Sequence, residues 1–386
     1  MPAYSYIVPQ ITLFGYDCLK TLGGYIKRLN VKKALVVTDA SLVKLGIVGA
    51  VTDELAASGF EYAIFTGVKP NPTIGNVEDG LAMLRAENCD FIVSIGGGSA
   101  HDCAKGIGLT GGNNCTIADL CGGPHKSRKP SIPLVMVNTT AGTASECTHA
   151  YVIVDEAENR KFGLRDMHAL ASIAVDDHKL MMKLPKSLTA GTGMDALTHA
   201  LEAYVSKKAQ PITSALAIAA IKMIFKNLPD ATLKSTEEAR EGMAVGQYLA
   251  GLSFGNATCG LVHSMSHQLS AVYDLPHGLC NAILLPPVMR FNSGDERACT
   301  LYAEIARDVF PFDCAGKTEA EQAAVLIEKV EELSQTVGTK VPLTSIGVKE
   351  EDVSLLADKA LMDGSLPANP RTPVHAEIAE LYQSVM

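Results

Sequence analysis

Short apolar runs alternate with amphipathic stretches along the first half of the chain. Strand-like runs such as KALVVTD, CDFIVSIGGGS and IPLVMVNTT are separated by helical patterns such as SLVKLGIVGAVTDELAASG and TIGNVEDGLAMLRAEN. Strands that alternate with helices favour a parallel sheet covered on both faces. The pattern therefore predicts an α/β domain over residues 1–184.

The second half of the chain has a different periodicity. From Leu184 onward the β-rich runs largely disappear, and apolar residues recur at helical spacing in ITSALAIAAIKMIFKNL, AREGMAVGQYLAGLSF and EAEQAAVLIEKVEELSQTVG. The boundary falls near LPKSLTAGTG, where Pro185 and the glycines interrupt the periodicity. We therefore predict an all-α domain over residues 185–386.

Length and composition narrow the class of protein. The 386 residues exceed the roughly 250–300 at which a single core stops growing, which favours two domains. A net charge of −9 argues against a nucleic acid partner. No apolar run approaches the ~20 residues that cross a bilayer, and the first residues lack the pattern of a signal peptide. Ten cysteines without a C-x-x-C pair indicate reduced, structural thiols. We therefore expect a cytoplasmic protein with no membrane partner.

One carboxylate and three imidazoles fall in stretches with a helical pattern. Asp195 and His199 lie four residues apart in GTGMDALTHALEAY, and a helix places such a pair on one face, about 6 Å apart at Cβ. His263 lies in GLVHSMSHQLSAVYDLPHG, and His277 follows Pro276, which should end that helix and turn the chain back. The four side chains can then converge on a divalent metal such as Fe(II) or Zn(II). Scattered core or surface positions are the alternative.

A glycine-rich turn follows one of the predicted strands. In CDFIVSIGGGSAHDCAKGIGL, Gly96, Gly97 and Gly98 let the backbone approach a diphosphate at the start of a helix near Ser99. His101 occupies the place of the third glycine in G-x-G-x-x-G, so the dinucleotide fingerprint is not matched. A second polar turn, NTTAGTASE, follows the next apolar run, and two such turns at successive strand ends form a plausible nucleotide crevice. A tight strand-to-helix turn is the alternative.

Asp39 ends the predicted strand KALVVTD. A carboxylate at this position can accept hydrogen bonds from a ribose diol and repel a 2′-phosphate. The alternative is that Asp39 caps the helix that begins at SLVKLG. The pattern leaves both roles open.

These motifs closely resemble those of the iron-containing (group III) alcohol dehydrogenases. The resemblance runs from about Tyr6 to the C-terminus and includes PNPT, GGGSAHDCAK, NTTAGTASE, TGMDALTHALEAY, the segment from His263 to His277 and the late NPR. The chain is most similar to the branch that contains 1,3-propanediol dehydrogenase, lactaldehyde reductase and NAD-dependent methanol dehydrogenase. Several positions depart from the common pattern, namely His178, Gly255 and Pro287.

The resemblance implies a fold, a reaction and a set of site residues. The fold is a Rossmann-like dinucleotide-binding α/β domain followed by a helical metal-binding domain, the architecture also found in dehydroquinate synthase, with the metal in the cleft between the domains. The metal ligands would be Asp195, His199, His263 and His277. The NAD contacts would be Asp39, Asn71, Gly97, Gly98, Ser99, Asp102, Thr139, Thr140 and Lys161. His267 would lie near the nicotinamide and the substrate as a proton donor or acceptor.

The expected reaction is reversible hydride transfer between a primary alcohol or short diol and NAD, assisted by Fe(II) or by Zn(II). The resemblance also implies a small-molecule alcohol or aldehyde substrate and a homo-oligomer, a dimer or larger. A zinc-dependent glycerol dehydrogenase-like or dehydroquinate synthase-like enzyme of the same fold is the alternative. A metallohydrolase would leave the glycine-rich turn and Asp39 unused. A non-catalytic protein that binds metal and nucleotide is a further alternative.

Overall fold

The chain divides into two units, Met1–Lys183 and Leu184–Met386. The division lies one residue from the boundary predicted from the sequence. The computed structural model describes residues 3–120, 123–157 and 160–386. Each unit is described by itself below.

The first unit contains eight strands among its described residues. They are β1 (Ile11–Phe14), β2 (Lys33–Val37), β3 (Glu61–Phe65), β4 (Phe91–Gly96), β5 (Leu134–Asn138), β6 (Ala150–Asp155), β7 (Arg160–Arg165) and β8 (Ile173–Asp176). Six of them form a parallel sheet in the order β1-β8-β5-β4-β2-β3. Strands β6 and β7 form a separate antiparallel hairpin, which the sequence pattern did not identify.

Helices cover both faces of the six-stranded sheet. They are α1 (Leu22–Ile26), α2 (Ala40–Lys44), α3 (Ile47–Ala57), α4 (Ile74–Ala86), α5 (Gly98–Asn113) and α6 (Ile117–Leu120). Alternate residues of the central strands enter different cores: Ile92 and Met136 pack in one cluster, whereas Val93 and Val137 pack in another. Strands β4, β5 and β8 are buried at every position, as continuous apolar runs in a parallel sheet predict.

The strand order reverses direction at β2. The chain runs from β2 outward to β3 and then returns across β2 to β4, so β2 and β4 are neighbours. In open parallel sheets, ligands bind beyond the carboxyl ends of the strands at such a reversal. Asp39 follows β2 and Gly97 follows β4. The topology therefore places both at the expected edge of the sheet.

The described part of the second unit contains no β-strand, which confirms the predicted all-helical character. Its helices are α7 (Lys186–Val205), α8 (Pro211–Leu233), α9 (Glu237–Ala257), α10 (Leu261–Tyr273), α11 (His277–Asn292), α12 (Glu296–Val309), α13 (Pro311–Cys314), α14 (Glu319–Val337), α15 (Val353–Leu361) and α16 (His375–Gln383). Helices α7, α8 and α9 pack against one another and carry a core of small and branched apolar side chains.

Helix α8 is the one described helix that is long and apolar enough to cross a membrane by composition alone. It contains polar residues such as Lys222, Lys226 and Asp230, and its apolar side chains pack against α7 and α9. A core helix of a globular unit passes the same test. Helix α8 is therefore weak evidence for a membrane span.

Candidate metal and nucleotide sites

Helix α7 carries two of the predicted metal ligands. It begins after Pro185 and contains both Asp195 and His199, which are buried. The four-residue offset places Asp195 Oδ1 3.8 Å from His199 Nε2. One helix therefore supplies both side chains to one place.

The other two imidazoles lie on consecutive helices. His263 is buried near the start of α10, and α10 ends at Tyr273. Pro276 precedes α11, whose first residue is His277. The expected turn at Pro276 is therefore present, and it returns His277 toward His263, with ring centroids 5.3 Å apart.

Glycine lets α7 and α11 approach closely. A Cβ atom on Gly278 would lie 2.3 Å from the Gly191 carbonyl oxygen, which is a backbone atom and cannot rotate away. Gly191 is one turn before Asp195, and Gly278 follows His277 directly. The close crossing of the two helices therefore brings the carboxylate to the third imidazole.

Three imidazole nitrogens surround one oxygen of Asp195. The Nε2 atoms of His199, His263 and His277 lie 3.8, 3.7 and 3.6 Å from Asp195 Oδ1. Four ligands about 2.1 Å from a tetrahedral ion would lie roughly 3.4 Å from one another. The distances from Asp195 and the mixed oxygen and nitrogen donors are therefore close to those of a divalent cation site, in which Asp195, His263 and His277 form the group whose ligand atoms all lie within 4.8 Å of one another.

The candidate ligand atoms fall into two overlapping groups. Asp195, His263 and His277 each offer an atom within 4.8 Å of the others, and so do His199, Cys259 and His263. His263 belongs to both groups. We assign the metal to the predicted set, because a single Asp195 oxygen faces all three imidazoles.

Burial and neighbouring groups set the charges in this cluster. Burial raises the pKa of Asp195 to about 6, whereas His263 and the amide of Asn281 lower it. Burial disfavours protonated His263, but Cys259 and Glu202 outweigh that effect and raise its pKa. A bound divalent cation would instead favour the carboxylate and neutral imidazoles.

Glu202 orients His263 and was not identified from the sequence. Its Oε2 lies 2.5 Å from His263 Nδ1, and its Oε1 accepts a hydrogen bond from the Val262 backbone N–H at 2.7 Å. A metal-binding imidazole commonly donates its second N–H to a carboxylate in this way. The signal was available, because Glu202 follows Asp195 and His199 on the same face of α7.

Phe254 fixes the orientation of His199. The two rings stack with centroids 3.9 Å apart and an interplanar angle of 11°. The stack leaves the edge of the imidazole, which carries its nitrogens, to face Asp195. Phe254, near the end of α9, therefore lines the site beside His199.

His267 lies beside the cluster. Its ring stacks against that of His277 at 5.3 Å, and its Nδ1 lies 2.9 Å from Asp363 Oδ2. The side chain of His267 is 24% exposed, whereas those of Asp195 and His263 are at most 3% exposed. Asp363, about a hundred residues later in the chain, was not identified from the sequence.

The two polar turns of the first unit pack against each other. A Cβ atom on Gly97 would lie 2.8 Å from Thr140 Oγ1, and one on Gly98 would lie 2.9 Å from Thr143 Cγ2. Thr139 donates its backbone N–H to the Gly96 carbonyl at 3.0 Å. The turns therefore form one surface at the N-terminus of α5, whose first turn contains Ser99.

The remaining predicted cofactor residues have protein partners. Asp39 caps α2, because its Oδ1 accepts hydrogen bonds from two backbone N–H groups. Lys161 on β7 donates to Asn71 Oδ1 at 2.8 Å. Asp102 accepts hydrogen bonds from Ser145 Oγ at 2.7 Å and from a backbone N–H of β6. Asp39 therefore has the capping role that the sequence left open, and its role toward NAD stays a prediction.

Comparison with known proteins identifies the family. The family model of iron-containing alcohol dehydrogenases matches residues 9–178, and the model of the C-terminal part of Fe-containing alcohol dehydrogenases matches residues 189–386. Alcohol dehydrogenase 4 of Schizosaccharomyces pombe is 43% identical over 100% of this chain and 90% of its own length. The 1,3-propanediol dehydrogenase of Citrobacter freundii is 42% identical over 98% of each chain.

A solved structure is similar over the whole chain. The crystal structure of a 1,3-propanediol oxidoreductase superposes with a TM-score of 0.96 at 42% identity and covers 100% of both chains. The protein is therefore an oxidoreductase with an α/β unit and a helical unit. The chain belongs to the iron-containing alcohol dehydrogenase family.

Proposed function

We propose that the chain catalyses reversible hydride transfer between a primary alcohol or short diol and NAD, giving the aldehyde and NADH. The observation that carries the proposal is the convergence of three imidazole Nε2 atoms on one Asp195 oxygen. Relatives named for alcohol and 1,3-propanediol oxidation support the substrate class. They do not favour the glycerol dehydrogenase-like or dehydroquinate synthase-like alternative.

Asp195, His199, His263 and His277 would hold the metal. A divalent ion there acts as a Lewis acid that favours the alkoxide form of an alcohol and polarises an aldehyde carbonyl, while NAD supplies the hydride acceptor. Glu202 keeps the His263 Nε2 atom directed at the ligand cluster. The family supports iron; Fe(II) is the metal we propose, with Zn(II) as the second candidate.

The proposed NAD contacts lie at the carboxyl edge of the parallel sheet. The close packing of Gly97 against Thr140 leaves backbone N–H groups at the start of α5 for a diphosphate. Asp39 accepts its two capping hydrogen bonds through one oxygen, Oδ1, and we assign its carboxylate to the ribose diol of NAD. The charge of Asp39 would disfavour the 2′-phosphate of NADP.

His267 is the residue we assign to proton transfer. Asp363 accepts a hydrogen bond from His267 Nδ1, which leaves Nε2 to exchange a proton with the alcohol, directly or through water or a ribose hydroxyl. We further propose that the enzyme is cytoplasmic and forms a homo-oligomer. Its partner would be a small alcohol or aldehyde.

A substrate panel tests the proposed reaction. The full chain is freed of metal, reconstituted separately with Fe(II) under anaerobic conditions and with Zn(II), and supplied with NAD and short primary alcohols or diols. We expect NADH absorbance to rise only in reconstituted samples. The rise should stop when a chelator removes the metal. Binding of both metal and NADH without turnover of any alcohol or aldehyde would contradict the proposal and favour a non-catalytic binding protein.

A further inference from the structure

Asn281 lies among the ligand atoms although nothing in its motif marks it as a ligand. It is on α11, one turn after His277, and is fully buried. Its Nδ2 lies 2.7 Å from Asp195 Oδ1, 3.1 Å from His277 Nε2 and 3.3 Å from His263 Nε2. One amide nitrogen therefore contacts three of the four atoms proposed to bind the metal.

The three contacts differ in strength. A hydrogen bond from an amide to a carboxylate oxygen is charge-assisted, and 2.7 Å is short for an N–H donor, so the bond to Asp195 is the strongest. The contacts to the two imidazole Nε2 atoms are longer, and each Nε2 has a single lone pair that a bound metal would use, so these contacts do not carry the proposed role. The amide therefore restrains the Asp195 oxygen at the point where the imidazoles converge.

The two ends of the Asn281 amide differ in their hydrogen bonds. Among the described residues, Asn281 Oδ1 has no hydrogen-bond partner although it is buried. Leaving a buried acceptor unsatisfied disfavours the folded state by about 1–3 kcal/mol. Packing alone therefore does not explain why an amide occupies this position, because its carbonyl oxygen is unfavourable there. The N–H groups, in contrast, contact the ligand cluster.

We propose that Asn281 is a positioning residue of the metal centre, which holds Asp195 Oδ1 toward the imidazoles through its N–H groups and so increases metal affinity. The inference rests on the proposed metal site. An amide suits this task because it donates hydrogen bonds without the positive charge of Lys or Arg, which would repel a divalent cation. Hydrogen bonds to ligating carboxylates commonly have this orienting effect.

Two substitutions at Asn281 separate its donor from its shape. Asn281→Ala removes the amide, whereas Asn281→Leu keeps a branched side chain of similar shape without the N–H donors. Dissociation constants for Zn(II) and for anaerobic Fe(II) are measured in the full chain by competition with a chromophoric chelator. We expect both Asn281→Ala and Asn281→Leu to weaken binding about 10–100-fold.

Asn292 on the same helix provides a matched control. It is also buried, and it exchanges hydrogen bonds with Asn369 instead of the ligand cluster. Asn292→Ala should leave the metal dissociation constant unchanged. The electronic spectrum of the Co(II)-substituted protein gives a second readout, because it reports ligand geometry: it should change in Asn281→Ala and not in Asn292→Ala.

A double mutant tests the route through Asp195. In an Asp195→Ala background, Asn281→Ala should have little further effect on metal affinity, because the atom that it orients is absent. Wild-type affinity in Asn281→Ala, or tighter binding in either Asn281 variant, would overturn the inference. Failure of the proposed metal site is distinguishable, since the unsubstituted protein would then bind no metal.

Discussion

At the residue scale, His267 and Asp363 form an imidazole–carboxylate pair next to the ligand cluster. Asp363 Oδ2 accepts from Nδ1 of the ring, which fixes the tautomer whose Nε2 is free to exchange a proton. Asp363→Asn places an amide donor where a carboxylate accepted and so favours the opposite tautomer. We expect kcat, measured as NADH formation, to fall about 100-fold or more, while metal analysis shows that metal content is retained.

Gln268 supplies the control for this pair. Its Nε2 lies 3.4 Å from the same Asp363 oxygen, so Gln268→Ala removes a neighbour of the carboxylate without changing the acceptor of His267. This variant should keep most of its turnover. If Asp363→Asn turned over normally, proton transfer would not depend on the tautomer of His267, and a ribose hydroxyl or water would be the better candidate.

His101 makes the first unit sensitive to acid. It is fully buried, its Nδ1 lies 2.8 Å from Ser94 Oγ, and burial together with Lys105 lowers its pKa from 6.5 to about 3. Between these values the unfolded chain binds one proton more than the folded chain. Stability is therefore lost as pH falls below about 6.5, by up to about 1.4 kcal/mol per pH unit from this group.

A substitution at His101 isolates that contribution. His101→Gln removes the titrating group, so the free energy of unfolding should fall less steeply between pH 6.5 and pH 5 than in the unsubstituted chain. Urea unfolding at several pH values measures the two slopes. At pH 8 the slopes should agree, since the imidazole is neutral in both states. Equal slopes at pH 5 would mean that His101 takes up a proton in the folded chain.

At the element scale, the crossing of α7 and α11 brings Asp195 to His277. A Cβ on Gly278 would meet the Gly191 carbonyl carbon and oxygen, so Gly278→Ala must move one helix relative to the other. We expect this variant to lose metal affinity about 10-fold or more, by analogy with the loss of an orienting contact. Chelator competition measures the affinity, and circular dichroism checks that helix content is retained.

Gly191 is the matched control because it lies at the same crossing. A Cβ there would meet only ordinary contacts, with Leu279 N at 3.6 Å as the nearest atom. Gly191→Ala should therefore keep metal affinity. Alanine is also more favourable than glycine in the interior of a helix, so the substitution should not disrupt α7. Equal affinity in the Gly278 and Gly191 variants would show that the helix separation does not control the site.

Elements with a strong periodic pattern could be predicted from the sequence. The fully apolar runs of β4 and β5 and the long periodic helices of the second unit were identified because buried strands and amphipathic helices leave distinct patterns. The β6–β7 hairpin was missed because β7, RKFGLR, contains three basic residues and a glycine, which weaken the apolar pattern of a strand. The structure shows that β7 carries Lys161 and that Lys161 contacts Asn71, so the hairpin positions two of the residues predicted to contact NAD.

The candidate metal site could be predicted only in part. The four-residue spacing in α7 and the proline before His277 are local signals, so the ligands themselves were accessible. Asp363 and Asn281 contact His267 and Asp195, which lie 96 and 86 positions away in the chain, and no local pattern records such contacts. Sequence spacing therefore identified the side chains proposed to bind the metal, whereas these two neighbours became visible only in the fold.

At the scale of the whole molecule, the proposed metal ligands and the proposed NAD contacts belong to different units of the chain. The two kinds of binding should therefore be separable by substitution. His263→Ala removes an imidazole shared by both groups of candidate ligand atoms. We expect it to abolish metal binding and turnover while NADH still raises the unfolding temperature, because NADH stabilises the folded protein by mass action. His375, whose side chain is 39% exposed, provides a control, and His375→Ala should still bind both the metal and NADH.

Asp39→Ser tests the same division from the other unit. Serine retains the ability to cap α2, so this variant removes the charge of Asp39 without removing the cap. NADH affinity should fall, discrimination against NADPH should weaken, and metal affinity should stay unchanged. If His263→Ala lost NADH affinity while keeping its metal, or if Asp39→Ser lost metal while keeping NADH, the assignment of the two ligands to the two units would be wrong. Each variant removes a group from one unit, and binding of both metal and NADH is then measured. The two variants together therefore test whether the metal belongs to one unit and NADH to the other.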